Sequence, residues 1–395
     1  MITPYAPFPP NSGGRIRMWE QITYLGKRHQ LTVVAFVSSS EEYELGRILK
    51  SRCYQVIMVN QKLSTPIESK YQQKLPYILR KYDSVEMWKT LAEQRGQDFD
   101  IVLIEHIYMA HYQQLFPGQC ILEEQNIESE IFKQQALLGA SQQQVFPQSR
   151  ARSLNKATWL HMVLHENQTW PKFPLRITVS EKDKQEIEQR CNTGRTVVIE
   201  NGVNLNTFTP VTPIHSRKIL FMGTLEYHPN IDGLYYALNH IFPRIWRSDP
   251  SISIVIAGRN PPQAVFNLAA SNPRIELFAT PADIREVAKL CSLTIVPLRI
   301  GGGTRIKILH SMALGLPVVT TGLGCQGLRV RDNHHLLIRD TPEQFATAVR
   351  QLCSDETLRN SLIRNGRKLV TEQYNWQTNF EKMEQELLEF TQKGD

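Results

Sequence analysis

Residues 294–324 read TIVPLRIGGGTRIKILHSMALGLPVVTTGLG, and this stretch decides the fold. It opens with a short apolar run at 294–298, which is typical of a buried strand. Three glycines follow at 301–303. A helical pattern then begins at Ile306 and reaches Gly315, a residue type that often ends a helix in the left-handed conformation. A second apolar run closes the stretch, so the pattern predicts a strand, a glycine-rich loop, a helix and another strand.

Two basic residues, Arg305 and Lys307, stand at the start of the predicted helix. Cations at this end oppose the helix dipole, so helix stability alone does not explain them. A helix N-terminus presents unpaired N–H groups, and glycines let a ligand approach the backbone. These features predict a phosphate site, although glycine-rich strand-to-helix turns are also ordinary in α/β proteins and neither a P-loop nor GxGxxG is present. The predicted loop ligands are Gly301, Gly302, Gly303 and Thr304.

The composition limits the classes of protein to be considered. A chain of 395 residues with 41% hydrophobic and 9% aromatic residues suits two globular domains. No apolar run is long enough for a membrane span, and the first residues do not resemble a signal peptide. Six scattered cysteines are typical of reduced, cytoplasmic thiols. We therefore expect a cytoplasmic protein.

The formal charge of +7 is mild for a chain of this size. It fits an anionic substrate, or a weak attraction to the inner face of a membrane as a peripheral contact. A nucleic-acid partner would require a clustered basic stripe, which the sequence lacks. The segment over 127–173 is the weakly indicated place for a membrane or partner contact. Its Trp159, Met162 and Trp170 could belong to the core or contact a partner, and the core is the favoured interpretation.

Strands and helical segments alternate along the whole chain, which predicts parallel sheets flanked by helices. We expect an α/β fold with two Rossmann-like domains that face each other across a cleft. The first covers 1–204, the second covers 205–370, and a helix in 371–395 returns to the first. The predicted strands are 31–37, 56–59, 101–104, 120–122, 176–179 and 197–199 in the first domain, and 219–222, 253–257, 275–278, 294–298, 318–321 and 336–338 in the second.

In parallel sheets ligands collect at the carboxyl ends of the strands. Several polar residues follow predicted strands of the first domain and are candidates for contact with a substrate. For each of them alone, an ordinary polar residue at a strand end is the favoured interpretation. These acceptor-side candidates are Glu105, His106, Gln125, Asn126 and Glu128.

Five motifs together resemble one family. They are PFPPNSGGRIR (7–17), ENGVNLNTF (200–208), FMGTLEYHPNIDGL (221–234), IAGRNPP (256–262) and VPLRIGGGTRIKILHSMALGLPVVTT (296–321). In this order they resemble the retaining glycosyltransferases of the group-1, family-four type, which have the two-domain GT-B fold. The resemblance covers nearly the whole chain. It implies a hexosyltransferase-type enzyme of cell-surface polysaccharide or glycolipid synthesis, with a nucleotide-sugar donor, a glycan or lipid-linked acceptor and no metal or other cofactor.

The resemblance also implies roles for individual residues. Arg305 and Lys307 would stabilise the diphosphate leaving group, and the leaving phosphate would assist attack on the same face of the sugar. His106 is the preferred catalytic candidate of the first domain. Phe278 would border the nucleobase. The remaining donor-site candidates are Gly13, Gly14, Gly223, Asn230 and His310.

The chain departs from the family pattern at a few positions. Many relatives carry two glutamates where this chain has Gly302 and His310; the first change is usual for the GGGTR-loop subtype, and the second is not. Gln125 stands where the subtype has histidine, and the first strand, near Ile2, is short. These departures keep a catalytically weakened binding or scaffold protein as an alternative. A nucleotide-sugar epimerase is a third possibility, whereas a nicotinamide oxidoreductase would require GxGxxG.

Overall fold

The structure, a computed structural model, describes residues 1–61, 76–142, 156–211 and 216–392. The chain divides into two compact units. Unit 1 comprises Met1–Glu200 and the segment from Gln377 onward, and unit 2 comprises Asn201–Trp376. The chain therefore crosses between the units twice, after Glu200 and after Trp376.

Unit 1 contains a parallel sheet of seven strands within the described residues, in the order β3-β2-β1-β4-β5-β6-β7. Its strands are β1 (Ile2–Thr3), β2 (Thr32–Val37), β3 (Gln55–Asn60), β4 (Val102–Glu105), β5 (Cys120–Glu124), β6 (Leu175–Thr178) and β7 (Arg195–Val198). The chain enters each strand from the same edge of the sheet, so the carboxyl ends of the strands lie together at the opposite edge.

The central strand β1 has only two residues, in line with the expectation of a short first strand. Ile2 pairs with Val34 of β2 on one side and with Ile104 of β4 on the other. The chain leaves the sheet directly after Thr3. This short strand brings Tyr5 to the carboxyl edge of the sheet.

The α-helices of unit 1 within the described residues are α1 (Gly13–Leu25), α2 (Ser40–Gly46), α3 (Tyr77–Lys81), α4 (Val85–Gln94), α5 (Glu128–Gln142), α6 (Lys156–Thr169), α7 (Glu181–Arg190) and α15 (Trp376–Gln392). A 3₁₀ segment, Ile107–Leu115, follows β4. Helix α15 comes from the far end of the chain and packs on α1. Tyr24 Oη of α1 donates to Glu384 Oε2 at 2.7 Å, and the rings of Tyr24 and Phe380 lie 5.8 Å apart. Helix α15 is therefore part of unit 1.

Unit 2 contains a second parallel sheet, with the order β10-β9-β8-β11-β12-β13 among its described strands. These strands are β8 (Lys218–Met222), β9 (Ser253–Gly258), β10 (Ile275–Ala279), β11 (Leu293–Val296), β12 (Val318–Thr320) and β13 (Leu337–Ile338). Its helices are α8 (His228–Tyr236), α9 (Phe242–Ser248), α10 (Gln263–Ser271), α11 (Ile284–Ala288), α12 (Ile306–Leu314), α13 (Pro342–Ser354) and α14 (Glu356–Gln373). The predicted fold class, two α/β domains with parallel sheets, is confirmed.

The apolar residues of the 127–173 segment are divided between the core and the surface region. Met162 and Trp170 are fully buried in the main hydrophobic cluster of unit 1. Trp159 is half-buried, and the ammonium group of Lys133 lies 5.9 Å from its ring centroid. Residues 143–155 of this segment lie outside the described residues. No helix in the described part of the chain is both long enough and apolar enough to cross a membrane.

Candidate active site

The glycine-rich loop lies between β11 and α12, at the carboxyl edge of the unit 2 sheet. Gly303 has a φ of 62°, in the left-handed region that favours glycine. A Cβ atom on Gly301 would lie 2.6 Å from Nη2 of Arg305. Gly315 ends α12 with a φ of 77°, as the sequence predicts. The loop therefore requires glycine at 303 for its backbone conformation and at 301 for the close approach of Arg305.

Arg305 precedes the first residue of α12 and is only 8% exposed. Its Nη1 atom donates to the carbonyl oxygens of Gly302 and Gly303, the second at 2.6 Å. No side chain caps the N-terminus of α12, and no acidic residue lies in its first turn. Helix N–H groups at this end need partners from outside the helix. Arg305 thus shapes the loop and places a fixed positive charge beside a helix N-terminus.

Lys307 lies in the first turn of α12 and is held by a short chain of hydrogen bonds. Its Nζ atom donates to Asn230 Oδ1 at 2.6 Å, and Asn230 Nδ2 donates to the carbonyl oxygen of Thr224 at 2.9 Å. A Cβ atom on Gly223 would lie 2.7 Å from the same Nζ. Burial and the neighbouring Arg305 charge lower the pKa of Lys307 to about 7. Gly223, Asn230 and Lys307 therefore form one contiguous group, and its cation is partly deprotonated near neutral pH.

His310 lies one turn further along α12 and is 8% exposed. Its ring stacks on that of Phe208, with the centroids 3.9 Å apart and an interplanar angle of 15°. Burial lowers the pKa of His310 to about 3, so the imidazole is neutral at pH 7. A charged imidazole one turn from Lys307 would disfavour both cations. That repulsion does not arise here.

Phe278 lies at the same edge of the unit 2 sheet but on the edge strand β10, two strands away from β8. It is half-buried against the hydrophobic cluster that includes Leu220 and Met222. Its predicted contact with a nucleobase stays a prediction.

Four polar residues at the ends of β8, β9 and β10 are not among the predicted site residues, although the quoted motifs contain three of them. Glu226 forms an ion pair with Arg259 and accepts from Asn260 Nδ2 at 2.9 Å. The backbone N–H of Asn260 donates to Thr280 Oγ1 at 3.3 Å. Asn260 and Thr280 have φ of 51° and 49°, values uncommon for residues with side chains. Arg259 and Asn260 belong to the IAGRNPP motif, whereas Glu226 and Thr280 are distant in sequence and reach them only in the folded chain.

In unit 1, Gly13 and Gly14 form the first turn of α1, which begins at Gly13. Their predicted contact with the donor stays a prediction. Gly13 is exposed, whereas a Cβ atom on Gly14 would overlap Tyr5 Oη and lie 3.0 Å from Gln125 Oε1. Gly14 therefore makes room for two polar side chains at the carboxyl edge of the sheet.

His106 directly follows β4 and has a φ of 67°. Its Nε2 atom lies 3.4 Å from Tyr5 Oη, and its ring stacks on Tyr108 with 5.0 Å between centroids. The residue is 4% exposed, and burial followed by the charge of Arg17 lowers its pKa to about 3. His106 is thus a neutral hydrogen-bonding group at pH 7 and is poorly placed to carry a proton.

Glu128 is the first residue of α5 and accepts from Tyr108 Oη at 2.8 Å. Burial raises the pKa of Glu128 to about 7, while hydrogen bonds from Tyr108 and Asn126 act in the opposite direction. Asn126, Glu128, Tyr108 and His106 are therefore connected. Of these, Glu128 is the group that changes its charge near neutral pH.

Glu105 ends β4 beside Glu123 of β5, and both carboxyl groups are fully buried. Gln125 Nε2 donates to Glu105 Oε2 at 2.9 Å. Burial and the adjacent Glu123 hold the pKa of Glu105 well above its usual range. Arg17 of α1 forms an ion pair with Glu123, and this guanidinium is the charge that offsets the two carboxyl groups. Within the described residues no three His, Cys, Asp or Glu side chains are grouped so that they could hold a metal ion.

The sequence comparison finds a family match within the unit that holds the glycine loop. Residues 216–355 match the family model for glycosyl transferases of group 1. Residues 216–355 form a group 1 glycosyltransferase domain. This domain contains the glycine loop, Arg305, Lys307 and Asn230, so the geometry described above lies within the matched region.

Two curated relatives share part of the chain. A stretch of this chain is 28% identical over 140 residues to an uncharacterised 44.6 kDa protein of the cps region of Klebsiella pneumoniae, covering 34% of this chain and 36% of that protein. An uncharacterised glycosyltransferase of Methanocaldococcus jannaschii is 26% identical over 226 residues, or 51% of this chain and 56% of that protein. The matches span about half or less of each relative's length.

Solved structures similar to the whole chain show the fold. Sucrose-phosphate synthase from Thermosynechococcus elongatus has a TM-score of 0.71 at 14% identity, covering 97% of this chain and 96% of that one. HepE of Anabaena in complex with UDP and glucose has a TM-score of 0.65 at 13% identity and 98% coverage of both chains. A TarM variant of S. aureus in complex with fondaparinux, alpha-GlcNAc-glycerol and UDP has a TM-score of 0.67 at 10% identity and 99% coverage of both chains. The glycosyltransferase domain and unit 1 together have the GT-B fold.

Proposed function

We propose that this chain transfers a sugar from a nucleoside-diphosphate sugar to a glycan, lipid-linked or other acceptor, with retention of the anomeric configuration and without a metal ion. The observation that carries the proposal is the group of Arg305, Lys307 and the 301–304 loop at the N-terminus of α12. Complexes of HepE with UDP and glucose, and of a TarM variant with UDP and glycan-type ligands, support a nucleotide-sugar donor and a glycan acceptor.

The proposed chemistry needs stabilisation of negative charge more than it needs a nucleophile from the protein. The bond between the anomeric carbon and the diphosphate oxygen breaks, and the acceptor oxygen forms the new bond on the same face of the sugar. The acceptor proton goes to the departing phosphate. Charge grows on the diphosphate meanwhile, and Arg305, Lys307 and the N–H groups of the loop would stabilise it.

Unit 1 would supply the acceptor side. Tyr5, Gln125 and His106 lie together at the carboxyl edge of its sheet, next to Gly14. Neutral His106 would accept or donate a hydrogen bond without changing charge. Glu128, whose pKa is about 7, would orient Tyr108, on which the His106 ring stacks. Peripheral contact with the inner face of a membrane, which a lipid-linked acceptor would require, is part of this proposal.

Calorimetric titration tests the donor site first. The purified protein is titrated with UDP and with GDP in the presence of a chelator, and we expect micromolar to sub-millimolar binding of one of them. The matching nucleotide sugars are then incubated with candidate acceptors, and the anomeric configuration of the product is read by NMR. Absence of binding of both diphosphates would favour the scaffold interpretation. Formation of an epimer of the nucleotide sugar in the absence of any acceptor would favour the epimerase interpretation.

The titration of Lys307 predicts a pH dependence of this binding. A bound diphosphate favours the charged ammonium and raises its pKa above the value of about 7 in the free protein. Binding therefore takes up a proton, so affinity is highest below pH 7 and falls as the pH rises. Linkage sets a limit of about tenfold per pH unit, or roughly 50-fold between pH 7 and pH 9. Calorimetry between pH 7 and pH 9 measures this fall in affinity. In this range the nucleotide phosphates, with a second pKa near 6, keep a nearly constant charge, so the change can be assigned to the protein.

The variant Lys307→Arg is the matched control for the pH dependence. A guanidinium stays charged throughout this range. We expect this variant to bind with an affinity that does not change between pH 7 and pH 9, even if the binding is weaker overall. An affinity of the unmodified protein that is equally flat would show that Lys307 does not titrate against the ligand.

A further inference from the structure

The first crossing between the units is the peptide that joins Glu200 to Asn201. On the unit 1 side, the carbonyl oxygen of Glu200 accepts from Asn379 Nδ2 at 3.0 Å and from Arg17 Nη1 at 3.4 Å. Asn379 belongs to α15 and Arg17 belongs to α1. This carbonyl is therefore held by both helices of unit 1 that lie beside the crossing.

On the unit 2 side, the next residue contacts the glycine loop. Asn201 Nδ2 donates to Thr304 Oγ1 at 2.6 Å. Asn201 is 5% exposed and Thr304 is 9% exposed, so this hydrogen bond is shielded from water. Gly202 follows and packs closely on Trp376, where a Cβ atom would lie 2.7 Å from the backbone nitrogen. The side chain of Asn201 is thus held in place by a tightly packed backbone.

Thr304 is the residue through which this contact reaches the proposed donor site. It lies directly before Arg305, whose guanidinium is folded onto the carbonyl oxygens of Gly302 and Gly303. Gly303 has left-handed backbone geometry and Gly302 is partly exposed, so the loop has few side chains of its own to fix it. A hydrogen bond to Thr304 therefore restrains the end of the loop that leads into α12.

We propose that Asn201 is a positioning residue for the diphosphate site: it holds Thr304, and through Thr304 it sets the geometry of the 301–305 loop. This inference rests on the proposed function, because it concerns how the same site is arranged. The hydrogen bond between Asn201 and Thr304 lies wholly within unit 2.

The experiment compares UDP and GDP binding by calorimetry in the unmodified protein and in four variants: Asn201→Ala, Thr304→Val, Thr304→Ser and the double variant Asn201→Ala/Thr304→Val. Loss of a buried hydrogen bond predicts about tenfold weaker binding for the first two. Thr304→Ser keeps the hydroxyl group and should stay within about threefold of the unmodified protein. The double variant should bind no more weakly than either single variant, because both remove one interaction.

Asn204→Ala is the matched control. Asn204 lies in the same segment, and its Oδ1 atom accepts only local backbone N–H groups of Asn206 and Thr207 in the contacts described. We expect unchanged binding for this variant. Melting temperatures are measured for every variant. Asn201→Ser, which is polar but too short to reach Thr304, replaces Asn201→Ala if that variant does not fold.

Three outcomes would overturn the proposal. If Asn201→Ala binds as the unmodified protein does while Thr304→Val does not, Thr304 acts on the ligand by itself. If Asn204→Ala also binds the diphosphate more weakly, and binding in all the variants falls in step with the melting temperature, the cause is general destabilisation. If the unmodified protein binds neither diphosphate, the proposed function fails, and the inference fails with it. If the unmodified protein binds a diphosphate and the Asn201 variant binds it equally well, only the inference fails.

Discussion

Replacement of both Arg305 and Lys307 by alanine is expected to abolish measurable binding of the diphosphate. Each cation supplies charge-assisted hydrogen bonds, and together they should contribute on the order of 2–4 kcal/mol, or roughly 30- to 1,000-fold in affinity. Arg305 is almost completely buried, and Lys307 lies in surroundings that lower its pKa, so water screens neither charge fully. Calorimetric titration of the double variant with UDP and GDP measures the loss.

A control for this prediction removes the same net charge elsewhere in unit 2. Arg217 pairs with Asp249 and Lys289 pairs with Glu286, and both cations are exposed. The variant Arg217→Ala/Lys289→Ala should bind as tightly as the unmodified protein at physiological ionic strength. Equal losses in the two double variants would show that only overall charge attracts the ligand. Unchanged affinity in Arg305→Ala/Lys307→Ala would remove the loop from the donor site.

Replacement of Arg17 by methionine should destabilise the protein by about 3–5 kcal/mol, the usual cost of a buried charge left without its partner. Arg17 and Glu123 are both fully buried, and Glu105 lies directly beside Glu123. Without the guanidinium, Gln21 Nε2 is the neutral donor that still bonds to Glu123, at 3.0 Å. Urea unfolding measured by circular dichroism gives the change in the free energy of unfolding, provided that the dependence on urea concentration has the same slope in both proteins.

Two further variants separate this cause from others. Arg17→Met combined with Glu123→Gln removes both members of the pair, so it should recover much of the lost stability. Arg47→Met breaks the exposed pair with Glu44 and should change stability by less than about 0.5 kcal/mol. If Arg17→Met costs no more than Arg47→Met, then the buried carboxyl groups do not depend on Arg17.

The strands of both sheets could be predicted because a parallel strand covered on both faces is a continuous apolar run. The runs at 219–222 and 253–257 lie within β8 and β9 almost residue for residue. Errors occur where a polar residue continues a strand. β5 extends to Glu124, which pairs with Thr178 of β6, and the buried carboxyl group accepts a hydrogen bond from Trp170 Nε1 at 2.7 Å. Only the tertiary structure supplies this distant donor.

No helix is predicted between the strands at 56–59 and 101–104, although the start of α4 carries a local signal. The Oγ atom of Ser84 accepts from the backbone N–H of Met87, as an N-capping serine does.

The candidate site also combines features that are local in sequence with features that depend on distant residues. The 301–305 loop is a local pattern and could be predicted. The stack of His310 on Phe208 joins residues about a hundred positions apart, and the neutrality of His310 depends on burial.

The return of α15 to unit 1 has a consequence for the order of folding during synthesis. Unit 2 is continuous in sequence and is complete once Trp376 has emerged, whereas the α1 face that holds Tyr24 is covered only after α15 has been made. At about 5–20 residues per second, translation from Glu200 to the end of α15 takes roughly 10–40 s. During that interval the face of α1 that carries Gln21 and Tyr24 lacks its contacts with α15. The first unit is therefore the last to be completed, although it leaves the ribosome first.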